Sequence, residues 1–244
     1  MNYVLDTHTH TLASGHAYST ISEMAKAASI KGLELLAITE HAPLMPGSCQ
    51  QIYFSNLVVV PRSMYGVELM FGTELNILDY EGHVDLNQFI LDRLDLRIAS
   101  LHTPCIDPGT VEENTNAILG AIKNPRIDII GHPDDSTYPL DLEKVVYAAK
   151  EYKTLLELNN NSLNPRGARK NTRGNILTML SYCKKLEVPI VMNSDSHVFA
   201  DVARHDFSDS VIEEADFPEH LIVNRSVAAF KSALNEKRTA FPIK

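Results

Sequence analysis

Residues 3–16 read Tyr-Val-Leu-Asp-Thr-His-Thr-His-Thr-Leu-Ala-Ser-Gly-His. A short apolar run ends at Asp6 and delivers His8 and His10 two positions apart. An extended backbone points i and i+2 to the same face, so both imidazoles can reach one cation. The same event recurs down the chain. Residues 35–39 (LLAIT) lead to His41, 70–72 (MFG) to Glu74, 97–100 (RIAS) to His102, 127–131 (IDIIG) to His132, and 189–193 (PIVMN) to Asp195 and His197. Each run has the length and composition of a β-strand, and parallel strands would carry all of these ends to one rim. His16 follows in the loop after the first strand.

A lone histidine after an apolar run is ordinarily a core or surface group. Repetition changes that reading, because seven of the ten histidines lie at strand ends or in the loop directly after one. His83, His205 and His220 sit in polar, turn-like or helical contexts and are read as structural. Imidazole suits zinc, iron or manganese, and a carboxylate such as Glu74 can bridge two ions. Seven histidines and two carboxylates are too many for one tetrahedral ion, so two or three metals are the economical reading.

Between the strands the pattern turns helical. Residues 18–31 place Ile21, Met24, Ala25 and Ala28 at helical spacing behind a Thr20/Glu23 capping box, and Gly32 ends the helix. Thr110 and Glu113 start a second helix in the same way, Asp141 caps a third, residues 173–187 form another, and Ser226 opens the last. Residues 42–65, with Pro43, Pro46, Gly47 and Pro61, read as a long loop or lid over the strand ends. Seven βα units with polar residues at the carboxyl ends describe an α/β fold, a distorted TIM-like (β/α)7 barrel with its site at the C-terminal strand ends. An open doubly wound sheet would gather ligands at one switch point instead. Residues 1–244 are expected to form one domain, in keeping with the usual size of such a barrel.

Strand six, about 154–158, donates no obvious ligand. It leads to Asn159, which could orient water or a ligand, and to a basic loop with Arg166, Arg169, Lys170 and Arg173. Arg166 and Arg169, together with Arg62 in the long second loop, are candidate phosphate clamps, because a guanidinium fork matches phosphate oxygens. The formal net charge of −9 argues against a general nucleic-acid surface. Cys49, Cys105 and Cys183 show no CxxC spacing and read as reduced thiols. The start of the chain has no positively charged segment followed by an apolar one, and no apolar run reaches membrane-span length, so a soluble cytoplasmic protein is expected. Homo-oligomerisation is left open.

The ordered set His8-x-His10, His16, Glu40-His41, Glu74, His102, His132 and Asp195-x-His197 resembles the polymerase and histidinol phosphatase (PHP) superfamily across nearly the whole chain. More narrowly, residues 6–20 (DTHTHTLASGHAYST), LAITEHAP, LELNNNS and SDSH resemble the stand-alone bacterial PHP phosphatases that hold three zinc ions in a distorted (β/α)7 barrel. Many members read Asp-His where this chain has Glu40-His41; the ligand is the histidine. The resemblance implies three metal sets: His8, His10, Glu74 and Asp195 for the first ion; Glu74 as a bridge with His102 and His132 for the second; His16, His41 and His197 for the third.

These readings imply a metal-dependent phosphatase acting on the monoester of a small phosphorylated metabolite, with three divalent ions, zinc first and manganese or iron as alternatives. Paired ions about 3.5–4 Å apart can activate water and clamp the attacking and leaving oxygens. Glu74 as bridge and Asp195 as ligand and proton acceptor or water-orienting group are the catalytic candidates. The alternatives are a PHP-type phosphodiesterase or exonuclease, an amidohydrolase-like enzyme, and a metal-binding regulatory or storage protein without turnover. A nuclease would need a basic track, and an amidohydrolase usually bridges its metals with a modified lysine where this chain has Glu74 and His102.

Overall fold

In a computed structural model describing residues 3–243, seven parallel strands run side by side in a nearly closed barrel. In order around it stand β1 (Leu5–Asp6), β2 (Leu35–His41), β4 (Val67–Asn76), β5 (Leu96–Ser100), β6 (Ile129–Ile130), β7 (Leu155–Asn159) and β8 (Ile190–Asn193). The short β3 (Ser63–Met64) pairs antiparallel with the start of β4. Between the outermost strands a parallel bridge joins Thr9 to Ser196, and the Asn193 amide oxygen accepts from both the backbone N–H and the hydroxyl of Thr7 at 2.8 Å.

The two-residue period of the strands explains where the barrel's interior changes character. Leu5, Leu35, Met70, Leu96, Ile98, Ile129, Leu155 and Val191 form one buried apolar cluster, sealed by Phe230 and Leu234 of α8 (Val227–Ala240). Two to six residues further along the same faces come Thr39 and His41 on β2, Glu74 and Asn76 on β4, Ser100 on β5, Glu157 and Asn159 on β7, and Asn193 on β8. The inner column is thus apolar at the N-terminal end and polar at the C-terminal end. The opposite strand faces join a larger cluster with the helices, including Met24, Ile38, Phe71, Ile118, Val145, Leu158, Ile176 and Met192.

The helices begin where the sequence places their caps. Thr20 and Glu23 close a capping box on α1 (Ile21–Ile30), and Thr110 and Glu113 do the same on α4 (Val111–Lys123). Asp141 accepts from the Lys144 N–H at the start of α5 (Leu142–Tyr152), and α6 covers Thr172–Leu186. Residues 42–65 differ from an open lid. They hold α2 (Gln51–Asn56), a 3-10 turn Leu57–Val59 and β3, with Phe54 and Leu57 buried in the outer cluster. A short α3 (Gln88–Leu91) follows β4. The helix α7 (Asp206–Glu214) buries Ser208, Val211 and Ile212 and has no side-chain hydrogen bond from its own N-cap residue, His205. Its first turn is instead fixed by Asn160, whose side-chain oxygen accepts from the N–H groups of Phe207 and Ser208 at 3.1 and 3.0 Å. No helix among the described residues is long and apolar enough to cross a membrane.

Candidate metal centre

The strand ends bring His8, His10, His16, His41, Glu74, His102, His132, Asp195 and His197 to one rim, as the spacing predicts. Glu74 lies at its centre. Its carboxylate is 2.8 Å from His132 Nε2, 2.8 Å from His41 Nδ1, 3.2 Å from His102 Nε2 and 3.3 Å from His8 Nε2. Asp195 Oδ1 is 3.3 Å from His10 Nε2 and 3.7 Å from His8 Nε2. His10, His41 and His197 lie ring against ring, with centroids 4.2 Å apart for His10 and His41 and 4.4 Å for His10 and His197. His16 is the most exposed of the set and faces His41 and His197 at 4.8 and 4.9 Å.

Local backbone features aim these groups. Gly131, just before His132, faces the barrel interior, where a Cβ would come within 2.2 Å of Ser100 Oγ. His132 and Asp195 themselves have φ of 29° and 52°, a region that side-chain-bearing residues rarely occupy and that persists only when surrounding bonds enforce it. For His132 the enforcing bond is from its N–H to Glu157 Oε2, 2.7 Å. The loop after β1 is pressed on the loop after β2, since a Cβ on Gly15 (φ 81°) would strike the Gly47 carbonyl at 2.1 Å. That contact holds His16 over His41.

A repeated pattern then appears on the far side of the imidazoles. His8 Nδ1 meets Glu157 Oε1 at 2.7 Å, His102 Nδ1 meets Asn76 Oδ1 at 2.8 Å, His10 Nδ1 meets Ser14 Oγ at 3.1 Å, and His197 Nδ1 meets the Asp195 carbonyl at 3.0 Å. Each of these oxygens can accept an Nδ1–H, and Ser14 is committed to that role because its own hydroxyl donates to Glu40 at 2.6 Å. Fixing the proton on Nδ1 leaves the Nε2 lone pair directed inward, the arrangement that metal-ligating histidines use. Those inward atoms find no hydrogen-bond partner: His8 Nε2, His10 Nε2, His102 Nε2, His41 Nδ1 and Glu74 Oε2 are all buried and unsatisfied. Buried polar atoms are nearly always paired, so five together in one small volume fit a site for cations. At this rim three groups have donor atoms within 4.8 Å of one another: His8, His10 and Glu74; His41, Glu74 and His102; His10, His41 and His197.

The electrostatics agree. Burial pushes the Glu74 carboxyl up, but His8, His102 and His41 more than reverse this and hold it well below the usual range. Asp195 is likewise pushed up by burial and then held well down by His8 and Arg169. Burial opposes a charge on His8, yet Glu157, Glu74 and Asp195 raise its proton affinity well above normal. In the ion-free geometry a proton thus supplies the positive charge that a metal would supply, and the two compete for the same lone pair.

Among the basic candidates the structure separates three fates. Arg169 reaches the centre, its Nη1 donating to Asp195 Oδ2 at 3.0 Å, Asn159 Oδ1 at 3.2 Å and Ser162 Oγ at 3.2 Å. Its Nε and Nη2 have no protein partner among the described residues. Arg166 is exposed in the loop, and only its backbone N–H is engaged, by Asn164 Oδ1 at 3.1 Å. Arg62 does not come near: it lies at the opposite end of the barrel, ion-paired with Asp95 and over the Phe71 ring. The long second segment carries it down the outside to β3 before the chain turns into β4. His83 is exposed and paired with Asp79 at 2.8 Å, four residues away, in keeping with a structural role.

Two buried carboxylates went unassigned in the sequence. Glu157 is fully buried on β7 and ties together His8, His132, Asn159 and Asn193. Strand six of the sequence thus serves the centre from behind the ligands. The signal was the alternation Leu155-Glu157-Asn159, a charged residue on an inward face. Glu40 accepts from the Thr11 N–H and the Thr11 and Ser14 hydroxyls, and so fastens the loop carrying His10 and His16.

A PHP domain profile matches residues 6–164. The chain belongs to the PHP domain family. A probable phosphatase of Caldicellulosiruptor bescii is 48% identical over 230 residues, covering 94% of this chain and 95% of that protein. A probable phosphatase of Thermoanaerobacter sp. is 48% identical over 239 residues, covering 98% and 97%. Among solved structures, the Lactococcus lactis histidinol phosphate phosphatase complexed with zinc, L-histidinol and phosphate superposes with a TM-score of 0.64 at 20% identity, covering 88% of this chain and 95% of that one. A chain of archaeal ribonuclease P bound to mature tRNA also matches, with a TM-score of 0.58 at 12% identity. Similar folds thus occur in differently named proteins, and the argument for activity rests on the site. Asp195 and His197 lie beyond the matched PHP segment, and the barrel brings them back beside His8 and His10.

Proposed function

We propose that the protein is a zinc-dependent phosphatase that hydrolyses monoesters of a small phosphorylated metabolite, with the whole chain acting as one catalytic domain. The observation that carries this reading is the convergence of five buried donor atoms without a hydrogen-bond partner, three of them on imidazoles, His8, His10 and His102, that are oriented from behind. His8, His10, Glu74 and Asp195 would hold one ion, Glu74, His102 and His132 a second, and His16, His41 and His197 a third. Bound divalent ions would supply water activation at neutral pH and charge compensation at the phosphoryl oxygens.

The chain's own residues supply the rest. Glu157, Asn76 and Ser14 keep His8, His102 and His10 in the tautomer that presents Nε2. Arg169 is positioned by Asp195, Asn159 and Ser162, and its remaining N–H groups offer a charge-assisted grip on a phosphate oxygen. Asp195, held ionised, can orient water or accept its proton. A monoester is favoured over a polynucleotide by the net charge of −9 and by the pairing of Arg173 with Glu214, which withdraws one basic side chain of the loop after β7.

The test is hydrolysis of p-nitrophenyl phosphate and bis-p-nitrophenyl phosphate by chelator-treated protein before and after zinc is returned. Zinc should restore activity, the monoester being turned over faster. Restored metal content with no hydrolysis of either ester would favour a storage or regulatory protein.

A further inference from the structure

A cavity of about 120 Å³ opens beside the metal centre. Asp195 and His197 of the metal centre line it together with Ser194, Asn161, Asn164, Asp201, Arg204 and Phe207. A group attached to a phosphate at the metal centre would find space there. The cavity is far smaller than the ~300–1,000 Å³ pockets that enclose drug-sized ligands.

The lining also fixes polarity and charge. Arg204 is the one cation, and it is already engaged. It donates to both oxygens of Asp206 at 2.8 and 3.0 Å, faces Asp201 at 3.4 Å, and lies 4.9 Å from the centre of the Phe207 ring. Two carboxylates therefore answer one guanidinium, and a second phosphate on the substrate would meet net negative charge. Asn161 Nδ2 has no protein partner among the described residues, nor has Asp201 Oδ2. One free donor and one free acceptor suit a hydroxyl, which both donates and accepts.

We infer that this pocket selects the phosphate monoester of a short polyol or sugar, with Asn161 and Asp201 as specificity-determining residues for its hydroxyl groups. The inference rests on the phosphatase reading and adds the substrate class. Hydrolysis breaks the bond between phosphorus and the polyol oxygen; the oxygen of water joins phosphorus, and one proton passes to the departing polyol.

The experiment compares zinc-loaded protein on glycerol phosphate, erythritol phosphate, propyl phosphate, fructose bisphosphate and p-nitrophenyl phosphate. Propyl phosphate matches glycerol phosphate in length and lacks its hydroxyls. With two hydrogen bonds at stake, kcat/KM should favour glycerol phosphate over propyl phosphate by about tenfold to a hundredfold. The bisphosphate should be poorer than the polyol monoesters. Asn161→Leu, which keeps the side-chain shape and removes the donor, should bring the glycerol-to-propyl ratio towards one with zinc content unchanged. Asp201→Asn should lower the same ratio. A wild-type ratio near one, or a ratio unmoved in both variants, overturns the pocket assignment while hydrolysis itself upholds the phosphatase. Failure to hydrolyse any of the five esters overturns both.

Discussion

The two ends of the barrel are built from the same strands and treat polar groups in opposite ways. At the N-terminal end charges are answered by charges. Arg97 and Arg238 both pair with the buried Asp128, at 3.0 and 3.2 Å, Lys231 pairs with Glu68 at 2.7 Å, and Arg62 pairs with Asp95. Arg238 Nε, which has no partner, and the buried Lys237 ammonium, which donates only to neutral oxygens, are exceptions there. At the C-terminal end five buried atoms, on His8, His10, His41, His102 and Glu74, converge with no hydrogen-bond partner. Unpaired buried groups cost stability, so a cluster of them fits a ligand-binding site. The lower end largely answers its own charges, whereas the upper end leaves a cluster of donor atoms open.

The sharpest way to break this contrast is at Glu74. Glu74→Gln replaces an anion by a neutral amide that coordinates poorly, so phosphatase activity should fall roughly 10³-fold, the scale of losing a principal electrostatic partner. Zinc should be lost from two positions at once. An ordinary buried glutamate would cost stability and leave metal content alone, so elemental analysis of the folded variant separates the two.

Glu157 tests whether the centre extends behind its ligands. Glu157→Gln keeps size and some hydrogen bonding but weakens the hold on the His8 tautomer. Zinc affinity should fall about 10–100-fold, the usual cost of losing such a partner, and excess zinc should restore activity. Unchanged affinity in a chelator competition would confine the metal chemistry to the rim residues.

Arg169 and Arg62 compare the two ends directly. Arg169→Ala should reduce kcat/KM for phosphate monoesters about tenfold to a hundredfold, the value of a charge-assisted contact of about 1.5–3 kcal/mol, with zinc content intact. Arg62→Ala should leave both unchanged. Equal effects from the two would remove Arg169 from the phosphate grip.

The lower end has its own test in Lys237, which is 1% exposed and donates to the Ile122 carbonyl at 3.1 Å. Burial lowers its pKa from 10.5 to about 7. The native state therefore releases a proton that the unfolded chain still binds between those two values. The penalty for burying the charged form is fully present below about pH 7 and disappears as pH rises towards 10.5. Lys237→Met should thus be more stable than wild type by a few kcal/mol near neutral pH, with the advantage shrinking at alkaline pH. Urea melts at several pH values read this out, and an advantage independent of pH would contradict it. Activity should not follow.

The same contrast explains what the sequence made legible. Residues at strand ends are ordered by the chain itself, so His8-x-His10, the residue after each apolar run and Asp195-x-His197 could be gathered onto one rim from spacing alone. The capping boxes at Thr20 and Thr110 are equally local. The partners behind the ligands depend on which strands become neighbours. Asn76 reaches His102 across the β4–β5 pairing, and Glu157 reaches His8 across the barrel, 149 positions away. Arg62 was misplaced for a related reason: nothing in residues 42–65 tells that the segment descends the outside of the barrel to pair as β3. The α7 helix was hidden because its start is fixed by Asn160, a residue from another loop.

The central claim is that the upper rim holds a cluster of ions, and it is tested most directly by elemental analysis of purified, zinc-replete protein after removal of loosely bound metal. Nine donors divided into sets of three or more predict about three zinc ions per chain. A reproducible content of one ion or none in folded protein would contradict the account.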